Sequence, residues 1–151
     1  MHNDVGTIWR DYLYENLLGS KGIVDEILHV FETRQDIGVV FPQNIDLMDS
    51  CIEWGSNKEI AETLLKKMKV SIDLPESDHI MFVAGDMFWG RVDAIHNMFD
   101  LSLSERDFPE ENAQIDGTIM HAIERLWLYL AAGNGYDYQL IRSLFDSRPL
   151  M

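Results

Sequence analysis

The densest group of polar side chains in the sequence lies between residues 108 and 125. It combines carboxylates, a histidine and an arginine, namely Glu110, Glu111, Asp116, His121, Glu124 and Arg125. A carboxylate placed directly before a helix can act as a general base that removes a proton from a hydroxyl group. It can also cap the free amides of the helix and complement the helix dipole, which is a structural role. Asp116 occupies such a position, and both roles are open to it.

A second group, at residues 84–91, has glycines on both sides of Phe88 and Trp89. Glycine allows the backbone to approach a ligand closely, and the exposed face of a tryptophan can stack on a sugar ring. The alternative is that both aromatic rings belong to the core. The motifs at residues 9–10 and 54–57 each contain a tryptophan and leave the same two interpretations.

Motifs of several large enzyme classes are absent. The sequence contains no GxGxxG, GxxxxGK(S/T), HExxH or GxSxG pattern and no CxxC pair, which argues against P-loop chemistry, zinc proteolysis and α/β-hydrolase acyl transfer. It also lacks an Asp-x-Asp pair, with which many nucleotide-sugar enzymes hold a divalent cation against a diphosphate. If the protein uses such a cation, part of that site lies outside this chain.

A metal-dependent hydrolase is a further alternative. Asp116, His121 and Glu124 together offer oxygen and imidazole ligands for Mn²⁺, Mg²⁺ or zinc. Their spacings of five and three residues lack the i, i+4 histidine pair that is typical of helical zinc sites. The spacing therefore gives this alternative little support.

The composition limits the class of protein. The 151 residues include 26 acidic and 12 basic side chains, which gives a formal net charge of −14 and argues against general nucleic-acid binding. The single cysteine, Cys51, excludes an intrachain disulfide and a cysteine-rich zinc site. No apolar run reaches the roughly 20 residues that span a bilayer, and residues 1–10 lack the charged-then-apolar pattern of a signal sequence. We expect a soluble, cytoplasmic chain whose residues 1–151 form a single unit with a sizeable core.

Apolar periodicity predicts the elements that position these groups. Ser20 is the expected N-cap of a helix that continues to Phe31, and the β-branched run at residues 37–41 predicts a strand. The capping-box pattern at residues 56–59 predicts the start of a second helix. The apolar run at residues 80–84 predicts a buried strand.

The second half of the chain predicts two more helices. The first is short and has Val92, Ile95 and Phe99 facing the core. The second is the longest, at residues 117–132, and a glycine-rich stop follows it. The tail at residues 136–151 also has a helical pattern. Strands that alternate with helices predict an α/β fold in which helices flank a few-stranded sheet.

A resemblance to a known family covers about residues 9–136. It is carried by six motifs in a fixed order, which are residues 9–10 (WR), 17–20 (LLGS), 37–42 (IGVVFP), 54–57 (WGSN), 84–91 (AGDMFWGR) and 114–125 (QIDGTIMHAIER). In this order they resemble the rhamnan synthesis protein F family, whose members are glycosyltransferases of bacterial cell-surface polysaccharide assembly. The resemblance implies a GT-A-like architecture, of which this chain looks like the later, acceptor-side portion.

The resemblance also implies roles for individual residues. Asp116 would be the base that deprotonates an acceptor hydroxyl in an inverting reaction, with Glu111 as its substitute. Trp89 would stack on a sugar, and Arg91 and Arg125 would offset the charge of the departing dTDP.

Further residues of the matching motifs are assigned by the same resemblance. His121 would orient Asp116, contact a phosphate, ligate a metal or form a structural hydrogen bond. The remaining substrate-binding candidates are Trp9, Arg10, Gly85, Asp86, Gln114 and Thr118.

The implied donor is dTDP-L-rhamnose and the implied acceptor is a glycan or a lipid-linked glycan, with Mg²⁺ or Mn²⁺ as the candidate cofactor and a location at the inner face of the membrane. Family members carry an additional segment before the Trp-Arg motif, whereas eight residues precede Trp9 here. The alternative is therefore a truncated, non-catalytic remnant or a sugar-binding module without the nucleotide-binding half. An exposed sheet edge or apolar face is expected where that half would pack.

Overall fold

The computed structural model describes residues 5–46, 51–110 and 116–141. Within these residues the chain forms five α-helices and a three-stranded sheet, so the predicted α/β class is confirmed. In chain order the elements are α1 (Val5–Leu18), α2 (Lys21–Thr33), β1 (Ile37–Phe41), α3 (Lys58–Met68), β2 (Trp89–Gly90), α4 (Val92–Asp100), α5 (Ile119–Gly133) and β3 (Asp137–Leu140), with short 3₁₀ helices at Gly55–Asn57 and Glu105–Asp107. None of the described helices is long and apolar enough to cross a membrane.

β1 is the central strand of the sheet, with β2 and β3 at the edges. β1 runs antiparallel to β2 and parallel to β3. All five residues of β1 are buried, because α4 and α5 pack on Val39 and Phe41 while α1 and α2 pack on Ile37 and Val40. A continuous apolar run is typical of a strand that is covered on both faces. The strand predicted at residues 37–41 is confirmed.

α5 lies between two parts of the core. Leu126 and Leu130 pack with α3, whereas Leu128 and Ala131 pack with β1 and α4. Thr118 is the N-cap of α5, and its hydroxyl accepts a hydrogen bond from the backbone N–H of the third helical residue. The predicted long helix is confirmed, and its packing on two sides fixes the position of its N-terminus.

α1 and α2 cover the other side of the sheet. Ser20 caps α2 as predicted, because its hydroxyl accepts a hydrogen bond from the Ile23 N–H at 3.2 Å. α1 was not predicted as a helix. Its buried positions are few, Leu13 and Leu17, so the apolar periodicity of this segment is weak.

The strand predicted at residues 80–84 is wrong. Four of its five residues are buried and Met81 is exposed, but the segment joins no strand pair of the described sheet. Its carbonyl groups bond elsewhere, since the Phe82 oxygen accepts hydrogen bonds from the Asn44 side chain at 3.0 Å and from the Ala84 N–H at 3.1 Å. An apolar run indicates burial, but it does not identify a hydrogen-bonding partner.

The helix predicted after residue 136 is also wrong where the structure describes it, because residues 137–140 form β3. The chain reverses after α5, and the Asp137 N–H then donates to the Asp36 oxygen at 2.7 Å, which starts the parallel pairing with β1. The pairing supplies the hydrogen bonds that a helix would otherwise have provided.

The buried face of α4 differs from the predicted one. Ile95 is buried as expected, but Val92 and Phe99 are 67 % and 63 % exposed. Ala94 faces β1 instead, because its small side chain allows α4 to lie close to Gly38. Val92 and Phe99 are thus exposed apolar side chains of α4, and the apolar face expected against a further segment stays a prediction.

The contact between Gly38 and α4 gives a test of this packing. A Cβ atom at Gly38 would lie 2.6 Å from the Cβ of Ala94 and 2.7 Å from that of Tyr136. We expect Gly38→Ala to lower the free energy of unfolding by about 2 kcal/mol, because the backbone must shift to admit a methyl group. Urea denaturation measures this change.

The control is Gly22→Ala, which adds the same methyl group at an exposed position of α2 with no atom closer than 3.8 Å. It should stabilise the protein by up to about 1 kcal/mol through helix propensity. Equal stability of the two variants would contradict the close packing of β1 on α4.

Candidate functional site

Hydrogen bonds to Asp116 connect the start of α5 to the loop before α3. Its Oδ2 accepts a hydrogen bond from the Ser56 N–H at 2.8 Å, and its Oδ1 accepts one from the Asn57 side chain. Gly55 precedes these donors with a φ of +53°, and a Cβ atom there would overlap the Asp116 carboxylate. The loop is therefore shaped to receive this carboxylate closely.

Asn57 is the buried partner in this contact. Its amide nitrogen also donates to the Trp54 oxygen at 2.8 Å, and its amide oxygen accepts from the Gly117 N–H at 3.0 Å. The helix predicted to start at residues 56–59 is confirmed as α3, but the capping box is not formed, because the Ser56 N–H donates to Asp116 and the N-cap is Asn57. Residues 56 and 57 instead direct their donors across to Asp116.

The environment of Asp116 favours its ionised form. Partial burial opposes ionisation, but hydrogen bonds from the Ser56 N–H and the Asn57 amide, the nearby Gly117 N–H and the charge of Arg125 lower the pKa of Asp116 below its ordinary value. The carboxylate is half-buried. At neutral pH it is an ionised group that is held in a fixed position and still reached by solvent.

Arg125 is buried and is committed to internal contacts. Its Nε donates to the Glu53 oxygen at 2.7 Å and its Nη1 donates to the His121 oxygen at 2.9 Å. The guanidinium also lies over the ring of Phe82 and 3.4 Å from a Glu124 oxygen. These contacts give Arg125 a structural role, and its predicted role at the diphosphate stays a prediction.

Thr118 and His121 form a local pair at the start of α5. The Thr118 hydroxyl lies 2.8 Å from His121 Nδ1 and also accepts the backbone N–H of His121. Thr118 is buried, whereas His121 is partly exposed. Of the roles considered for His121, the structural hydrogen bond is the one that the geometry shows.

The turn at residues 84–86 lies next to this region. The Gly85 N–H donates to a Glu124 oxygen at 2.7 Å, which connects the turn to Arg125 through the adjacent carboxylate. Gly85 has a φ of +88°, and a Cβ atom there would lie 2.9 Å from the ring of Trp9. Gly85, Asp86 and Trp9, all predicted as site residues, are thereby brought together on one side of α5.

Asp86 differs from Asp116 in its protonation. Crowding by protein atoms raises the pKa of Asp86 to about 6, although part of the residue remains exposed. A hydrogen bond from the Trp127 indole at 2.6 Å and the charge of Arg125 oppose this rise, while the charge of Glu124 adds to it. Asp86 therefore changes charge around pH 6, and such raised values are common among functional carboxylates.

Trp89 and Arg91 lie in a different part of the fold. The Trp89 indole donates to the Leu17 oxygen at 3.2 Å and packs with the α1 and α2 core. Arg91 donates to the Phe31 oxygen at 2.8 Å, which places it at the end of α2. The structure does not bring these two residues to Asp116.

The remaining predicted site residues are Arg10, Glu111 and Gln114. Arg10 is exposed and pairs with Asp11 at 2.7 Å. Glu111 and Gln114 lie outside the described residues. The sequence reasoning missed two residues that contact these carboxylates, Asn57 and Trp127. Asn57 lies in a capping pattern and Trp127 lies in an apolar helix, so neither one indicated a site.

The metal-ion hypothesis finds no support in the part of the chain that the structure describes. There, no group of three or more His, Cys, Asp or Glu side chains is arranged to hold a metal ion. Asp116, His121 and Glu124 each point to the separate partners given above. The proposal of a hydrolase built on these three residues is therefore set aside.

The fold and the polar contacts define a mixed α/β protein with two carboxylates beside the buried face of α5. The chain belongs to the rhamnan synthesis protein F family, whose model matches residues 1–136. This match confirms the resemblance found in the sequence motifs and associates the chain with rhamnan and polysaccharide synthesis.

The uncharacterized protein WxcX of Xanthomonas campestris pv. campestris is a relative of this chain. In strain B100 and in a second strain it is 34 % identical over 124 residues, which cover 82 % of this chain and 17 % of the relative. The chain thus spans about a sixth of the length of the curated relatives that it matches. No solved structure matches the chain significantly.

The Asn57 contact can be tested through stability. Asn57→Ala should lower the free energy of unfolding by about 2–3 kcal/mol, because it removes hydrogen bonds to Trp54 and Gly117 as well as to Asp116 and leaves buried groups unpaired. Urea denaturation measures the loss. Ser56→Ala is the control: Ser56 uses its backbone N–H, so stability should change by less than about 0.5 kcal/mol. A similar loss in both variants would contradict the role given to the Asn57 side chain.

The raised pKa of Asp86 predicts that Asp86→Asn stabilises the protein by an amount that depends on pH. Between about pH 4 and 6 the native protein holds a proton that the unfolded chain has lost, so ionisation of Asp86 destabilises the fold as the pH rises. At pH 7 the variant should be more stable by about 1 kcal/mol, allowing for solvent screening of the exposed group. At pH 4 the difference should vanish.

The measurement is thermal or urea unfolding of both proteins across this pH range. Asp100→Asn removes the same charge from an exposed position at the end of α4 and serves as the control. A stability difference for Asp86→Asn that is constant from pH 4 to 7 would contradict the assignment.

Proposed function

We propose that this chain is the acceptor-side part of a glycosyltransferase that assembles bacterial cell-surface polysaccharide. The transferred sugar is L-rhamnose from dTDP-L-rhamnose, and the acceptor is a glycan or a lipid-linked glycan. Membership of the rhamnan synthesis protein F family supports this proposal. The GT-A-like layout remains part of it, supported by the mixed sheet and by the order of the loop, Asp116 and the long helix α5.

The observation that carries the proposal is the fixed, ionised carboxylate of Asp116 at the start of α5. Each oxygen of Asp116 accepts one hydrogen bond, and a carboxylate oxygen has a further lone pair for a hydroxyl proton. Hydrogen bonds from the loop hold the group in one orientation. A general base needs both an available lone pair and a fixed position.

The proposed reaction is a single displacement. Asp116 takes the proton of the acceptor hydroxyl as the hydroxyl oxygen forms a bond to the anomeric carbon. The bond between that carbon and the diphosphate oxygen breaks, the electron pair leaves with dTDP, and the anomeric configuration inverts. Glu111, outside the described residues, is the substitute base in this proposal.

The diphosphate needs positive charge in a chain with a net charge of −14. Arg91 and Arg125 donate to backbone carbonyl groups, and Arg10 pairs with Asp11. These internal contacts favour a contribution from a divalent cation, Mg²⁺ or Mn²⁺, or from another part of a longer protein. The contacts to the diphosphate of the sugar donor are therefore not attributed to Arg125 alone.

The test is transfer from dTDP-L-rhamnose to a glycan acceptor by the purified natural gene product. Asp116→Asn should lower kcat by about 10²–10⁴-fold with little change in KM, because the base is lost while the sugar contacts remain. The control is Glu53→Gln, which removes a charge from an exposed neighbouring side chain and should keep kcat within about twofold.

Asp116→Asn places an amide group opposite the donors of Ser56 and Asn57 and can disturb the loop. Asp116→Ser keeps an acceptor oxygen for these donors and removes the carboxylate, so the same loss of kcat is expected from it. Normal turnover by either folded variant would contradict the proposal. Specific binding of dTDP-L-rhamnose by these 151 residues alone would contradict the alternative of a remnant without a donor site.

A further inference from the structure

The turn at residues 84–86 presents a carboxyl group at the surface beside α5. Two consecutive residues have positive φ angles, Gly85 at +88° and Asp86 at +55°. The turn is closed by the Asp86 N–H, which donates to the Val83 oxygen at 3.2 Å. Trp9 of α1 and Glu124 of α5 hold it from two sides. The position of Asp86 is therefore fixed by packing.

The two carboxyl oxygens of Asp86 have different surroundings. Oδ1 accepts the hydrogen bond from the Trp127 indole at 2.6 Å. Oδ2 receives no hydrogen bond from the residues that the structure describes, and the residue is exposed. One oxygen thus fixes the orientation of the group, while the other has no hydrogen-bond donor among the described residues.

An aromatic pair adjoins this carboxyl group, because Trp127 donates to it and Phe88 packs on Trp127. Trp127 and Phe88 pack with ring centroids 5.2 Å apart, and both rings are partly exposed. A pyranose offers hydroxyl groups that donate to a carboxylate and C–H groups that pack on an aromatic ring. The combination of Asp86 Oδ2 with Trp127 and Phe88 matches both features of such a ligand.

We propose that Asp86, Trp127 and Phe88 form a binding subsite for one neutral pyranose unit, in which the Asp86 carboxylate accepts hydrogen bonds from sugar hydroxyls. The negative charge of Asp86 and the adjacent Glu124 disfavour an anionic sugar. The assignment moves sugar stacking from Trp89, whose indole bonds within the core, to Trp127. This inference extends the proposed function. The role of the bound sugar as part of the acceptor rests on that proposed function.

The subsite and the proposed base have Arg125 as a common neighbour. The charge of Arg125 acts on both Asp86 and Asp116. The Gly85–Glu124–Arg125 contacts connect the two regions through neighbouring side chains.

The subsite should respond to pH. The charged residues that face Asp86 are Glu124 and Arg125 of α5, whereas Trp9 and Leu13 of α1, which border the turn, are uncharged. Protonation of Asp86 replaces an acceptor oxygen by a hydroxyl and removes the charge. Since its pKa is about 6, about a tenth of the group stays ionised at pH 5.

The experiment is NMR titration of the indole N–H signals with methyl α-L-rhamnopyranoside. The chain has four tryptophans, and Trp127→Phe identifies the Trp127 signal by its loss. We expect a saturable shift of that signal at pH 7.5 and about tenfold weaker binding at pH 5. Asp86→Asn should weaken binding at pH 7.5 by at least about tenfold and remove the pH dependence, because hydrogen bonds to a charged acceptor are lost.

Two controls separate the subsite from general effects. Asp100→Asn should bind the sugar like the unchanged protein, and D-glucuronate should produce no saturable shift. An unshifted Trp127 signal up to the solubility of the sugar, or equal binding by Asp86→Asn, would overturn the subsite. Sugar binding at Asp86 combined with normal transfer by the Asp116 variants would instead overturn the proposed base and leave the subsite in place.

Discussion

The buried guanidinium of Arg125 is the contact on which the arrangement of the site depends. It joins the Glu53 backbone before α3 to the His121 backbone in the first turns of α5. Its neighbour Glu124 holds the turn at Gly85. A buried charge of this kind is costly unless its partners are in place, so the loop, the helix and the turn must assemble together. The site residues therefore occupy fixed positions although they come from three distant parts of the sequence.

The two carboxylates near Arg125 show that surroundings determine protonation. Both experience the same positive charge, yet the pKa of Asp116 is lowered and that of Asp86 is raised. Asp116 accepts hydrogen bonds from the Ser56 N–H and the Asn57 amide, whereas crowding by protein atoms dominates at Asp86. One group is ionised at all physiological pH values and the other changes charge near neutrality. Carboxylates with such different environments commonly have different tasks in one site.

The sequence predicted elements with strong periodicity better than it predicted partners. β1, α2 and α5 were correct, because burial of one face or of a whole strand leaves a clear apolar pattern. The strand expected at residues 80–84 failed, since burial does not specify hydrogen bonding. Asp116 was predicted as a site residue from its place before a helix, and that role stays a prediction, whereas its partner Asn57 had the appearance of a cap. Trp127 looked like core, and its bond to Asp86 depends on a tertiary contact.

The parallel pairing of β1 with β3 has a consequence for the synthesis of the chain. The paired residues Ile37 and Asp137 are far apart in sequence, and such distant contacts slow folding. At ribosomal rates of about 5–20 residues per second, β3 emerges roughly 5–20 s after β1. During that interval one side of β1 has no strand partner, although all its side chains are apolar or glycine. The nascent protein must keep this strand from pairing with other chains until its last described segment has left the ribosome.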